Sequence, residues 1–246
     1  MKIDPAVATT QHVKETRFFL GQISQSEHDA LFDERSHCPR VEFDTALCSN
    51  DAVPARLKAY GNGIRTGLVL REPAAFAVSR YIHSRRKGEY AGMSLDEVFR
   101  ESDGFRVELD YAAIMENFSD PQLRLQTWAF EAIAADAESF YRTVRHHLAG
   151  VDLDLPIPSL SGPINQARNS TAGRLPAVLS SAATAARARG LHSVVEFAKS
   201  VGIHRTLERS AEGSEVEQLR KRAQSLVERN VPSSIECWRT LGAEPA

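Results

Sequence analysis

A chain of 246 residues, 42% hydrophobic and 25% charged, is long enough for one well-filled core, as a single large domain or a domain with a helical appendage. A net charge of -2 and a pI near 6.5 offer no overall attraction to nucleic acid or an anionic membrane, so any anion site must be local. Three scattered cysteines (Cys38, Cys48, Cys237) exclude a disulfide framework, no apolar run approaches the ~20 residues that span a bilayer, and residues 1–10 lack the apolar stretch of a signal peptide. These features point to a cytoplasmic protein.

Residues 1–13 are mixed and polar and lead directly into Lys14-Glu15-Thr16-Arg17-Phe18-Phe19-Leu20. Residues 24–38 predict a short polar helix capped by Ser24 or Ser26. Val41, Phe43 and Thr45 alternate with Glu42 and Asp44, the pattern of a short or edge strand. Residues 53–60 predict a helix with Pro54 in its first turn and apolar Val53, Leu57 and Tyr60, ended by Gly61-Asn62-Gly63. Residues 66–70 (Thr-Gly-Leu-Val-Leu) then read as a short buried strand. Arg71-Glu72-Pro73 follows, and a helix is predicted over 73–86, since proline suits a first helical turn.

Ser94 with Glu97 forms a capping box that opens another helix. A second strand is predicted within 123–133. The stripe Phe140, Val144 and Leu148 marks an amphipathic helix over 136–148, with Gly150 beyond its end. Residues 151–162, with Pro156, Pro158 and nearby Pro163, predict a linker. The rest reads as helical: 175–189, 191–201, and 215–230 with Ser214 as cap and Glu217 three residues on.

Strand, tight turn and helix over 66–86 form half of a βαβ unit. A helix N-terminus offers unpaired N–H groups and a positive dipole end, and Arg71 stands at the carboxyl end of the strand, where ligands of α/β sheets bind. Its guanidinium can grip a phosphate with two hydrogen bonds, and the Ser79 hydroxyl, two turns into the helix, can donate to the same group. The competing reading pairs Arg71 with Glu72 or Asp44 and leaves Ser79 to packing.

The run Leu68-Val69-Leu70-Arg71-Glu72-Pro73, continued by Ala77-Val78-Ser79-Arg80-Tyr81-Ile82-His83, resembles the 3′-phosphate-binding motif of the sulfotransferases that use 3′-phosphoadenosine-5′-phosphosulfate. Lys14-Glu15-Thr16-Arg17-Phe18-Phe19 is similar to the Lys-Glu-x-x-Phe-Phe segment of the bacterial and carbohydrate branches of that family. Residues 127–133, Asp136 and 144–155 resemble its late strand, following helix and closing turn. The resemblance spans residues 13–158 and is most specific around Arg71 and Lys14.

It implies an α/β fold, a P-loop-NTPase-like three-layer parallel sheet with helices on both faces, truncated at its N-terminus. A sulfotransferase-like domain would cover 1–158, and a helical extension packed on it 159–246. The implied reaction moves a sulfuryl group from 3′-phosphoadenosine-5′-phosphosulfate to a hydroxyl of a sugar, lipid or small metabolite. Arg71 and Ser79 would anchor the 3′-phosphate, Glu15 would act as the base, and Lys14 would offset charge on the transferring group. The chemistry needs no metal, and no nucleic acid or membrane span is expected. The helical tail either covers the acceptor or mediates a homodimer.

One departure stands out. The family holds the 5′-phosphosulfate on a glycine-containing loop after its first strand, upstream of the Lys-Glu segment. Residues 1–13 contain no glycine, residues 61–67 precede their strand, and Arg168-Asn169-Ser170-Thr171-Ala172-Gly173 follows no predicted strand. The lysine that often grips the cofactor is absent from 41–46. Either the chain begins downstream of the true start, or the donor half of the site is lost or rebuilt. The second case is a degenerate protein that binds a nucleotide or a partner without catalysis. Arg80, Arg85, Arg86 and Lys87 form a basic run with two readings, a solvated helix end or a contact to phosphate or an acidic acceptor. His146 and His147, about 100° apart on a helix, cannot converge on one metal. No Gly-x-Ser-x-Gly elbow supports a serine hydrolase.

Overall fold

The computed structural model describes Ala8, Thr10 and residues 15–32, 39–61, 63–149, 168–170, 208–210 and 213–242. The expected linker at 151–162, the helices at 175–189 and 191–201, Lys14, Cys38 and Gly150 lie outside the described residues. The chain divides into two compact, interleaved units: Met1–Glu72, Asp110–Ser161 and Ser233–Ala246 in one, Pro73–Leu109 and Gly162–Pro232 in the other.

In the first unit, α1 (Gln25–Asp29) is opened by Ser24, whose hydroxyl accepts the Glu27 N–H while the Glu27 carboxylate accepts the Ser24 N–H. Helix α2 (Val53–Tyr60) carries Pro54 in its first turn, where no N–H is needed, and buries Val53 and Leu57 against Phe19, Phe118 and Leu123. Strand β1 (Gly67–Leu70) pairs in parallel with β2 (Gln126–Ala129), Leu70 facing Ala129 in register. Gly67 is required here, because a Cβ would come within 2.6 Å of the Trp128 ring. The second strand is shorter than residues 123–133 predict. Leu123 ends a 3₁₀ turn (Pro121–Leu123) and Arg124 is left-handed (φ 46°), so the ladder begins only at Gln126.

Helix α6 (Tyr111–Asn117) is capped by Asp110, whose side chain accepts the Ala113 N–H. Short α7 (Glu131–Ala135) and α8 (Ala137–Ala149) follow β2, and the Asp136 carboxylate accepts the Ser139 N–H at the start of α8. Helix α10 (Pro232–Arg239) begins at the end of the second unit's sequence and, from Ser233 on, belongs to the first.

The second unit holds α3 (Pro73–Lys87), α4 (Leu95–Glu101), α5 (Asp103–Leu109) and α9 (Gly213–Asn230). Helix α9 packs along α3 and touches α4, where Arg222 pairs with Asp96. Ser94 and Glu97 make the expected capping box on α4. A short antiparallel pair, β3 (Arg168–Ser170) with β4 (Glu208–Ser210), completes it. Residues 168–170 thus lie on a strand, where the sequence predicts none.

The chain is therefore α/β with a small parallel sheet and many helices; the three-layer sheet implied by the resemblance is not seen among the described residues. Among the described residues the parallel sheet has two strands. Nor do residues 41–45 form a strand. Val41 is buried and bonds Ala8 through an isolated bridge pair, yet Phe43 is 60% exposed and the Asp44 carboxylate accepts the Ala46 N–H, turning the chain. Short polar residues capture their own backbone here in preference to a ladder. Among the described residues, no helix is long and apolar enough to cross a membrane, and no group of three His, Cys, Asp or Glu residues is placed to hold a metal ion.

Candidate active site

Arg71 follows the last residue of β1, at the carboxyl ends of the parallel pair. Its backbone is fixed from several sides within the first unit. The Phe130 N–H bonds the Leu70 carbonyl (2.8 Å) and extends the ladder one step past the strands. The buried Tyr111 hydroxyl donates to the Arg71 carbonyl (2.8 Å), and the Glu131 carboxylate accepts the Glu72 N–H (3.0 Å). The second Glu131 oxygen accepts the indole N–H of buried Trp238 (3.2 Å). Ser234, one helical turn before Trp238 on α10, accepts the Tyr111 N–H (3.1 Å).

Leu70, Tyr111, Ile114 and Trp238 pack as one buried cluster beneath this turn. Burial, together with the nearby Glu72 and Glu131 carboxylates, pushes the Tyr111 phenol well above its ordinary pKa, so it remains a donor at any ordinary pH.

The Arg71 side chain is treated differently. Its guanidinium lies 5.2 Å from the centroid of the Phe130 ring, which is 43% exposed, while among the described residues Asp44 pairs with Arg17. A cation resting on an exposed aromatic face keeps its N–H edges available. The backbone is held and the charged group is left open.

Glu15 lies in the same unit. Its Oε2 accepts from Arg17 (2.7 Å) and its Oε1 from the Thr45 hydroxyl (3.1 Å). Arg17 has a left-handed backbone (φ 62°) and also faces the fully buried Asp44 carboxylate at 3.5 Å. The turn at 17–22 is closed by the Arg17 carbonyl, which accepts from Leu20 and Gln22 (3.2 Å each). Thr16 donates to Glu42, whose other oxygen meets buried His28 at 3.1 Å, and the imidazole stacks on Phe18 with ring centroids 4.1 Å apart. Thr45 connects this turn to the Arg71 cluster: its carbonyl accepts the Cys48 thiol, and Cys48 packs against the Leu70–Tyr111–Trp238 core.

Ser79 sits half-buried on α3, in the second unit. Of the basic run beside it, Arg80 is committed to structure. It grips Glu108 through two bonds (2.5 and 3.1 Å) and donates to the buried Ser84 hydroxyl (2.6 Å), which donates in turn to Glu89 (2.5 Å). Burial alone pulls the Arg80 guanidinium down, but Glu108 and the neighbouring carboxylates outweigh it and raise its pKa. Arg85 lies over the Tyr81 ring, 5.4 Å from its centroid.

The sequence singled out Arg71 and Glu15 but not the residues that hold them. Tyr111 follows an Asp110 cap, Glu131 ends the Trp128-Ala129-Phe130 run, and Trp238 stands one turn after Ser234. Those local signals mark helix starts and faces, not partners.

No protein-family model matches the sequence, and no curated protein matches it. Among solved structures, a sulfotransferase from Alicyclobacillus acidocaldarius is similar, with a TM-score of 0.57 and 20% identity over 66% of this chain and 77% of that one. This chain therefore has a sulfotransferase-like α/β fold.

Proposed function

We propose that this protein is a sulfotransferase that moves a sulfuryl group from 3′-phosphoadenosine-5′-phosphosulfate to a hydroxyl of a sugar, lipid or small metabolite. The observation that carries the reading is Arg71: a guanidinium resting on an exposed aromatic ring, on a pinned turn at the carboxyl ends of parallel strands, in a chain with this fold. Such a group suits a bidentate grip on the 3′-phosphate. By the sequence resemblance, Ser79 would be a further phosphate contact. Glu15 takes the proton from the acceptor hydroxyl as its oxygen bonds sulfur and the bond from sulfur to the 5′-phosphate oxygen breaks, leaving 3′-phosphoadenosine-5′-phosphate. Lys14 is assigned to offset charge on the sulfuryl oxygens.

The second reading is a nucleotide-binding protein that transfers nothing. It is favoured by the turns after β1 and β2, Arg71-Glu72 and Phe130-Glu131, neither of which is a glycine-containing phosphate cradle. A labelled-sulfate assay over sugar, phenol and lipid hydroxyls, with the unchanged protein and Glu15→Gln, separates the two. Transfer that falls by about 10²–10⁴-fold in the variant is expected of a general base. Nucleotide binding with no transfer to any acceptor selects the second reading.

A further inference from the structure

The segment that alternates like a strand but forms no ladder among the described residues has a use. Glu42, Asp44 and Thr45 each meet one residue of the preceding turn: Glu42 meets Thr16, Asp44 meets Arg17, and Thr45 meets Glu15. Three side chains of one short segment are thereby matched by polar side chains of the other. From this geometry we infer that Thr45 and Arg17 are positioning residues for the Glu15 carboxylate, with Asp44 holding Arg17 in place.

An ionised carboxylate has two oxygens with about four lone-pair directions between them. Thr45 takes one on Oε1 and Arg17 one on Oε2, so each oxygen keeps a direction for an incoming acceptor proton while the plane of the group is fixed. Free rotation of the glutamate side chain would spread that plane over many orientations, and a base works only within hydrogen-bonding reach of its proton. Three details favour a built arrangement over a chance surface pair. Arg17 sits in a left-handed backbone conformation, which side chains adopt rarely and which persists when surrounding contacts enforce it. Asp44, its second partner, has a side chain with no solvent exposure, and among the described residues its carboxylate meets Arg17 and the Ala46 N–H while Oδ2 has no hydrogen-bond partner. Glu15 remains 24% exposed, reachable from solvent while both its oxygens are held.

This inference rests on Glu15 being the base of the proposed sulfuryl transfer. It is tested on the full chain with Thr45→Val, which keeps the shape and removes the hydroxyl, Thr45→Ser, which restores it, and each combined with Glu15→Gln. Loosening a group whose whole contribution is about 10²–10⁴-fold should lower kcat by roughly tenfold in Thr45→Val. The dissociation constant for 3′-phosphoadenosine-5′-phosphate should stay unchanged, and Thr45→Ser should regain most of the rate. In the Glu15→Gln background Thr45→Val should change nothing further, because it acts through that carboxylate. Full kcat in a folded Thr45→Val variant, equal loss in Thr45→Ser, or an additive loss on top of Glu15→Gln would each overturn the positioning role and leave sulfuryl transfer standing. An unchanged protein that transfers to no acceptor overturns both. Full activity in Glu15→Gln removes Glu15 as the base, and the positioning role with it.

Discussion

The turn at Arg71 and the turn at Glu15 are built in opposite ways. At Arg71 the backbone is tied down by Tyr111, Glu131 and the ladder bond from Phe130, while the guanidinium rests on an exposed ring. At Glu15 the side chain is held at both oxygens, while the adjacent backbone at Arg17 is left-handed and the turn lies nearer solvent. The difference suits the two tasks proposed for these residues. A charge that must close on an incoming anion needs a fixed origin and an open head. A group that must accept a proton along one line needs its head fixed. Rigidity is placed on the backbone in one case and on the side chain in the other.

The comparison breaks most visibly at Glu131. Replacing it with alanine leaves the Glu72 N–H and the Trp238 indole N–H without their acceptor, and unsatisfied buried donors lose about 1–3 kcal/mol each. Glu131→Ala should therefore lower unfolding stability by about 2–4 kcal/mol in denaturant titrations. It should also weaken nucleotide binding, because the Arg71 turn loses its frame. Arg71→Ala should give the reverse pattern, a nucleotide affinity lower by about 1.5–3 kcal/mol with unfolding stability nearly unchanged.

Tyr111→Phe comes next, with an expected loss of about 1–2 kcal/mol of stability from the orphaned Arg71 carbonyl. It carries a second signature. The folded-state pKa of Tyr111 is raised, so its contribution to stability is fully present below the ordinary tyrosine value near 10 and is lost as pH rises beyond it. Unfolding stability should therefore decline above about pH 10, and Tyr111→Phe should remove one proton's share, about 1.4 kcal/mol per pH unit. Thr45→Val should have the smallest effect on stability, about 0.5–1.5 kcal/mol for one partly exposed hydrogen bond. If stability losses at Thr45 equal those at Glu131, the two turns are not built differently.

The parts of the fold carried by local signals were legible in the sequence. Ser94 with Glu97 caps a helix as expected, Ser24 rather than Ser26 caps α1 although that helix ends at Asp29, the helix predicted over 53–60 is α2, and the strand, turn and helix of 66–86 appear as β1, Arg71-Glu72 and α3 within a residue at each end. Elements defined by distant partners were not. Helices α5, α6 and α10 are short, and the contacts that matter join residue 71 to 111 and residue 131 to 238. The alternation at 41–45 was real, but its polar half bonds the Glu15 turn and forms no ladder. The basic run at 80–87 was ambiguous because sequence does not show that Arg80 is already spent on Glu108.

In the proposed function, Arg71 offers its guanidinium to a 3′-phosphate. Calorimetric titration of the full chain and of Arg71→Ala with 3′-phosphoadenosine-5′-phosphate, beside adenosine 5′-phosphate, tests it most directly. The account predicts that Arg71→Ala weakens the first ligand by roughly 10- to 150-fold and leaves the second, which lacks the 3′ group, unaffected. Equal affinity of both proteins for the 3′-phosphorylated nucleotide would contradict it.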